Sequence, residues 1–311
     1  MNLPPGYTAR PMVLADATVI AERSAAYTSA LLGFEKHSPE DVANYLRDPG
    51  TDLATDGWVV AGPDGEFAGS ATAVPITGGT HVNVDILSSD IAILDWLLDQ
   101  AERRARLVGR DDVVVKVGVI REDELLPKVL APRGFTVGTS VHRMRISFDG
   151  PMPVPDVPEG VVVRRGAPDE ASRRAAHGVL MEAFQDQPGT LPRPFEEWAA
   201  SRESRSTFDW SQVTIAELDG RAAGVTECND NFVSTVNCGY VGRLAVVPSA
   251  RGRGLAKFLL RDAFAVDAAA GRSGTILHVD TSNPTPAVAL YTGVGMRPDL
   301  ISDIWTRTIT A

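Results

Sequence analysis

Tyr240-Val241-Gly242-Arg243-Leu244-Ala245-Val246-Val247-Pro248-Ser249-Ala250-Arg251-Gly252-Arg253-Gly254-Leu255-Ala256 is the stretch from which the rest of this 311-residue chain can be read. Tyr240 to Val247 reads as a strand, and Pro248 stops it because proline has no N–H to give a ladder. A helix follows the glycines, with Leu255, Phe258, Leu259, Ala263 and Val266 spaced for one apolar face. Gly271 stands where a C-terminal glycine cap belongs. A strand, a glycine-rich turn and a helix together make an anion site. The first N–H groups of a helix have no internal acceptor, its dipole puts partial positive charge there, and glycine lets a phosphate approach the backbone. Arg251 and Arg253 add charge. The loop lacks the Gly-Lys-Ser/Thr of a Walker motif and the three set glycines of a dinucleotide fingerprint.

A second block lies about thirty residues further on. Thr275 to Asp280 reads as a strand, followed by Asn283, Ala287, Leu290, Tyr291, Gly295 and Met296. With Arg251-Gly252-x-Gly254-x-Ala256, these residues resemble the GNAT (GCN5-related) N-acetyltransferase family, whose loop reads Gln/Arg-x-x-Gly-x-Gly/Ala. The helix-rich stretch around Pro192 to Trp198 and the tandem layout resemble the family's mycothiol-synthase-like branch. The resemblance implies an α/β (α+β) tandem GNAT fold: two mixed, mostly antiparallel sheets flanked by helices, with a splayed pair of strands. It implies acetyl-CoA as co-substrate and no metal. The edge of Leu244, Ala245 and Val246 would pair with the pantetheine arm. The N–H groups of Arg251, Gly252, Arg253, Gly254, Leu255 and Ala256 would hold the pyrophosphate, and Asn283 would bond the pantetheine arm.

The implied activity is direct transfer of an acetyl group to a primary amine of a small molecule in a ternary complex. That chemistry needs a base for the ammonium, a donor for the oxyanion and an acid for the thiolate. The resemblance places the oxyanion donor on the Leu244–Val246 backbone and the acid at Tyr291. Many relatives carry a glutamate four residues before the position of Leu244. Tyr240 stands there in this chain and is a poor base when neutral. Glu227, on the preceding strand, is the next candidate, and water-relayed deprotonation is another route. His278 is a candidate proton relay. A non-catalytic acyl-CoA sensor or scaffold module is the reading from another class, kept open by the missing carboxylate.

The chain also repeats itself. Arg10-Pro11 then Ala15-Asp16-Ala17 parallels Arg164-Arg165 then Asp169-Glu170-Ala171. A hairpin with Asp64-Gly65 at its turn parallels one with Asp219-Gly220, and Asp-Gly suits a turn that needs positive φ. Gly134 and Gly295 each precede a strand. These matches define a degenerate N-terminal copy over 1–148, a Pro-rich linker over 149–159 and a catalytic domain over 160–311. The N-terminal copy runs from its strand His81–Ile86 into Leu87-Ser88-Ser89-Asp90 with no glycine-rich loop, and Asp90 would repel phosphate. Asp111-Asp112 precedes a further strand, so the sheet itself survives. A structural or substrate-shaping role is expected of this copy.

Composition fits this reading. The formal net charge of −10 argues against a nucleic-acid partner and mildly favours a cationic one such as an amine. The start, Met1 to Gly6, lacks a signal peptide's basic and apolar regions, and no apolar run approaches a membrane span, so a cytoplasmic protein without a membrane partner is expected. Cys228 and Cys238 read as small buried strand residues. Monomer and homodimer stay equally open. The acceptor pocket is expected from Met181 to Thr207 and the interdomain surface.

Overall fold

The computed structural model describes residues 2–76, 80–109, 112–185, 193–283 and 285–310. Of the sequence features above, Asp111, Pro192 and the rest of 186–192 in the expected acceptor segment lie outside the described residues. The chain divides into two compact units, residues 1–141 with 301–311, and residues 142–300.

The first unit runs β1 (Thr8–Pro11), α1 (Ala17–Leu32), α2 (Pro39–Leu46), α3 (Leu53–Asp56), β2 (Gly57–Ala61), β3 (Phe67–Pro75), β4 (His81–Leu87), α4 (Ile91–Val108), β5 (Val113–Ile120), α5 (Leu126–Leu130) and the first half of β6 (Thr136–Ser147). β1 to β4 are antiparallel neighbours, and β4 and β5 are parallel across the helical crossover α4. That helix is held by Ile93, Leu94, Leu97, Leu98, Ala101 and Ala105, all buried at helical spacing.

The second unit adds β7 (Val161–Arg165), α6 (Glu170–Phe184), α7 (Phe195–Glu203), β8 (Val213–Leu218), β9 (Arg221–Asn229), α8 (Val233–Val236), β10 (Cys238–Val246), α9 (Leu255–Ala269), β11 (Gly274–Asp280), α10 (Ala287–Gly293) and the start of β12 (Arg297–Ile309). Its strands lie in the order β6-β11-β10-β9-β8-β7. β7 to β10 are antiparallel, and β10 and β11 are parallel across α9. Both sheets are thus mixed and flanked by helices. The two Asp-Gly hairpins are matched, since Gly65 and Gly220 both adopt positive φ.

The compact units differ from the boundaries 1–148, 149–159 and 160–311. Residues 302–309 of β12 form a full antiparallel ladder with β5, Ser302 opposite Ile120 through Ile309 opposite Val113, so they belong to the first unit. The Pro-rich segment belongs to the second unit, where Met152 packs on the cluster that contains Phe264.

Helix α9 is buried on more than the one face its sequence suggested. Leu255, Phe258 and Leu259 join Ala223, Val225 and Ala245 in one cluster. Leu260, Ala263 and Phe264 join Val241 and Leu277 in another. Val266, read as part of the apolar stripe, is instead 52% exposed. Asp267 turns toward the sheet in its place. A Cβ built on Gly239 would fall 2.1 Å from the Asp267 carboxylate, and the Thr275 hydroxyl donates to that carboxylate. The bare backbone of Gly239 leaves room for this polar group at the point where β10 and β11 begin to pair.

Burial pushes the Asp267 carboxyl up to about 6. An unfolded aspartate titrates near 3.9, so the fold favours the protonated form. The stabilising contribution is complete below about pH 4 and is lost as pH rises through about 6. Asp267→Asn should therefore raise the melting temperature at pH 7 by a few degrees and flatten its dependence between pH 4 and 7. A thermal melt series showing a lower melting temperature with an unchanged slope would contradict this.

Candidate functional site

Strand β10 holds two different partners over different lengths. It pairs with β11 only at Cys238–Gly274, Gly239–Thr275 and Tyr240–Ile276. It continues against β9 to Val246, opposite Gly224, with a β-bulge between Val241 and Arg243. A bulge twists its strand and breaks the local ladder. Past Tyr240 the side of β10 that faced β11 has no registered partner strand, so Leu244, Ala245 and Val246 lie along an open edge.

That edge leads into the glycine loop. Pro248–Ala250 forms a single 3-10 turn, Gly252 and Gly254 adopt φ of +79° and +81°, and α9 begins at Leu255. Added Cβ atoms at these glycines would meet nothing within 4 Å, so conformation and open space, not packing, explain them. Phe258 N–H to Gly254 carbonyl oxygen, 2.9 Å, opens the intrahelical ladder. The N–H groups of Leu255, Ala256 and Lys257 precede it and have no intrahelical acceptor. No side chain caps this end and no acidic residue stands in its first turn.

The first unit shares the parting of its parallel pair, β4 meeting β5 only from His81 to Val84, but differs in the bulge and at the helix end. Its β3–β4 ladder runs without a bulge from Ser70–Leu87 to Pro75–Val82. Its crossover helix α4 is capped by its own carboxylate, Asp90 Oδ1 accepting from Ala92 N–H at 2.7 Å. Position for position, one unit presents an uncapped helix end where the other places a carboxylate that accepts from one helix donor.

Two of the expected ligands are engaged elsewhere. Arg251 donates its guanidinium to the carbonyls of Ala183 (3.1 Å) and Val246 (3.3 Å), and its N–H bonds the Pro248 carbonyl. It straps the loop to the end of α6, which fixes the guanidinium beside the loop by two carbonyl bonds. Asn283 Oδ1 accepts from Thr285 N–H (2.9 Å) and Thr285 hydroxyl (2.8 Å), which shapes the turn before α10 and leaves only the Asn283 amide nitrogen for a ligand. Arg253 is exposed.

A cavity of about 620 Å³ opens beside the loop, in the size range of small-molecule sites. Gly254, Lys257, Phe258 and Arg261 of α9 form one wall, and Met152 to Asp156 of the Pro-rich segment form another. Lys257 and Arg261 are one helical turn apart on the same face and were missed in the sequence, although their spacing after the loop was visible.

Around the bulge the side chains divide by face. Tyr240 donates to or accepts from His278 Nδ1 at 3.1 Å, and its ring meets Phe232 and His278 edge-on at 5.1 and 5.5 Å. Burial pushes the Tyr240 phenol up, opposed by the charges of Arg243 and Arg205. The Tyr291 phenol is also raised, by burial first and then by Tyr240, so the two tyrosines share one neighbourhood. Both are protonated at neutral pH.

Glu227 is 4% exposed. It is not on a solvated face. Its Oε2 accepts from Arg202 at 3.0 Å, while its buried Oε1 has no hydrogen-bond partner among the described residues. Arg202 itself lies 4.9 Å over Trp198, and burial lowers its guanidinium against the support of Glu227. In the first unit the matching contact is Tyr45 hydroxyl to Thr72 hydroxyl, 3.1 Å. The repeat thus exchanges a buried ion pair for two neutral hydroxyls. Nothing in the sequence linked Arg202 to Glu227, because the two meet only when α7 packs on β9.

Cys228 and Cys238 are free thiols, Cys238 buried and Cys228 partly so. Among the described residues no helix is long and apolar enough to cross a membrane, and no group of three or more His, Cys, Asp or Glu could hold a metal.

Comparison with known proteins agrees with this geometry. Residues 178–296 match the model of the acetyltransferase (GNAT) family. A mycothiol acetyltransferase of Thermobispora bispora is 30% identical over 173 residues, covering 54% of this chain and 57% of that protein. One from Nocardia farcinica is 27% identical over 247 residues, 77% and 79% of the two chains. The chain spans about half the length of the Thermobispora bispora protein and of two further mycothiol acetyltransferases, from Frankia casuarinae and Thermomonospora curvata: 57%, 46% and 48%. Among solved structures, a GCN5-related N-acetyltransferase from Sphaerobacter thermophilus superposes with a TM-score of 0.82 at 26% identity, over 100% of this chain and 98% of that one. A tandem GNAT protein from the clavulanic acid biosynthesis pathway shares the fold at a TM-score of 0.73 and 18% identity, over 97% and 98%. Strand edge, bare helix end and these likenesses point the same way: residues 178–296 match the GNAT acetyltransferase family, and the chain is similar to mycothiol acetyltransferases.

Proposed function

We propose that the second unit transfers an acetyl group from acetyl-CoA to a primary amine of a small molecule. The observation that carries this reading is the pairing of two open backbone stretches in one unit, the edge of β10 past Tyr240 and the uncapped start of α9. The likeness to mycothiol acetyltransferases supports acetyl transfer. The acceptor is argued from this chain's own residues.

The backbone of Leu244, Ala245 and Val246 would bind the pantetheine amides as an added strand would. N–H groups from Gly252 to Lys257 would hold the pyrophosphate, with Arg253 nearby. Lys257 and Arg261 would face the nucleotide end in the cavity beside the Pro-rich segment. The thioester would then lie at the bulge, where N–H groups of the twisted strand face the developing oxyanion.

The amine attacks the thioester carbonyl carbon, the carbon–sulfur bond breaks and coenzyme A leaves. Glu227 Oε1, held in place by Arg202, takes the proton lost by the amine. Tyr291, kept protonated by burial, gives one to the thiolate. Tyr240 and the exposed His278 form a hydrogen-bonded path on which that proton can be replaced from solvent. The first unit takes no part in acyl transfer on this reading, because Asp90 places a negative charge on the helix end that a phosphate would need.

Arg253→Asp places a carboxylate one residue before the N-cap of α9. It should weaken coenzyme A binding at least tenfold by titration calorimetry with no change in melting temperature; unchanged affinity would remove the pyrophosphate assignment. Tyr291→Phe should lower kcat roughly 10- to 100-fold with little change in KM for acetyl-CoA, whereas equal losses in both would mean a packing role. Glu227→Gln should lower kcat/KM for the amine roughly 10- to 100-fold with coenzyme A affinity unchanged; an unchanged kcat/KM would exclude Glu227 as the base. Coenzyme A binding without acetylation across an amine panel would favour the sensor reading.

A further inference from the structure

The face of β10 that would meet the acceptor is locally cationic in a chain of net charge −10. Arg243 is exposed at the bulge, directly opposite Glu227 in the ladder, so the two side chains share a face. Its guanidinium bonds only the carbonyl of the adjacent Gly242, at 2.7 Å. No carboxylate among the described residues forms an ion pair with it, whereas Arg202 is paired with Glu227. Arg202 and Arg205 bring further positive charge to the same neighbourhood, where Arg205 and Arg243 both act on Arg202 and on Tyr240.

The fold does not ask for arginine at this place. The register-equivalent residue of the first unit is Asp85, opposite Thr72 as Arg243 is opposite Glu227. Asp85 there sits beside Tyr45. So the same ladder position carries opposite charge in the two units, and the arginine belongs to the unit with the bulged strand and the uncapped helix end. The buried, unpartnered Oε1 of Glu227 stands beside it as an acceptor for a hydrogen-bond donor.

We infer that the acceptor is an amine that also bears an anionic group, a carboxylate or a phosphate, with Arg243 binding the anion and Glu227 Oε1 receiving the ammonium. This rests on the acetyl-transfer reading. A guanidinium offers a planar fork that matches either oxyanion in two hydrogen bonds. Arg243 therefore selects the acceptor and takes no part in bond making or breaking.

The test uses the full chain and matched acceptor pairs: an ω-amino acid against the alkylamine of equal length, and an amino-sugar phosphate against the free amino sugar. For the wild type, kcat/KM should favour the anionic member of at least one pair by about tenfold or more, the winning pair telling carboxylate from phosphate. In Arg243→Gln that ratio should fall close to one through KM, in Arg243→Lys it should be partly retained, and in Arg243→Glu it should invert. Coenzyme A affinity, measured on each variant, reports that the fold and cofactor site persist. A wild type with no preference in either pair, or an Arg243→Gln variant that loses both members equally, would overturn the inference. Equilibrium binding of the same compounds to the coenzyme A complex separates the two claims. Anion-selective binding that needs Arg243 but yields no acetylated product would support the anion site and overturn acetyl transfer alone; binding with no selectivity would overturn the anion site.

Discussion

The parting of β10 from β11 after Tyr240 is the constraint on which the rest depends. A strand edge inside a sheet carries N–H and C=O groups that cost free energy unless something pairs with them. β10 leaves such an edge from Leu244 to Val246 and then runs into a helix whose first donors are also bare. The surrounding structure holds this arrangement open. β9 pairs with β10 along its other side, Arg251 straps the loop to α6, and α9 is buried against two apolar clusters. On the proposed reading, a ligand with amides along one end and phosphates at the other would satisfy both sets of groups.

The two units show which details carry this property, because they share an architecture and differ at a few positions. Both have an Asp-Gly hairpin, a parallel pair crossed by one long helix and a short helix packed over the hairpin's second strand. The first unit has an unbulged β4, an aspartate on the N-terminus of α4 and a neutral Tyr45–Thr72 contact. The second has a bulge, a glycine at that helix end and the buried Arg202–Glu227 pair. A buried ion pair is a weak source of stability compared with apolar or neutral partners, and it is retained where its orientation is of use. Here it leaves one carboxylate oxygen aimed and unfilled.

The backbone devices of the site were legible in the sequence, because glycines at 252 and 254 and proline at 248 act locally. The hairpins and the capping aspartates were legible for the same reason. Side-chain destinations were not. Arg251 reads as a phosphate ligand by position, yet it lies within reach of two open carbonyls and bonds them. Val266 fits the helical stripe, but opposite it the sheet offers Gly239 and the Thr275 hydroxyl, which suit Asp267 better. The membership of the last strand depends on a ladder between residues nearly two hundred positions apart. The net charge pointed to a cationic partner, while the local field at Arg243 has the other sign. Total charge describes solubility and steering at a distance, and a site is decided by the few groups within hydrogen-bond reach.

Amide hydrogen exchange with and without coenzyme A tests the central claim most directly, since it reports the backbone donors themselves. Binding should slow exchange at Leu244–Val246 and at Gly252–Lys257 together, and leave the start of α4 around Ala92 unchanged. Coenzyme A binding that leaves Gly252–Lys257 unprotected, or that protects the start of α4 instead, would contradict the account.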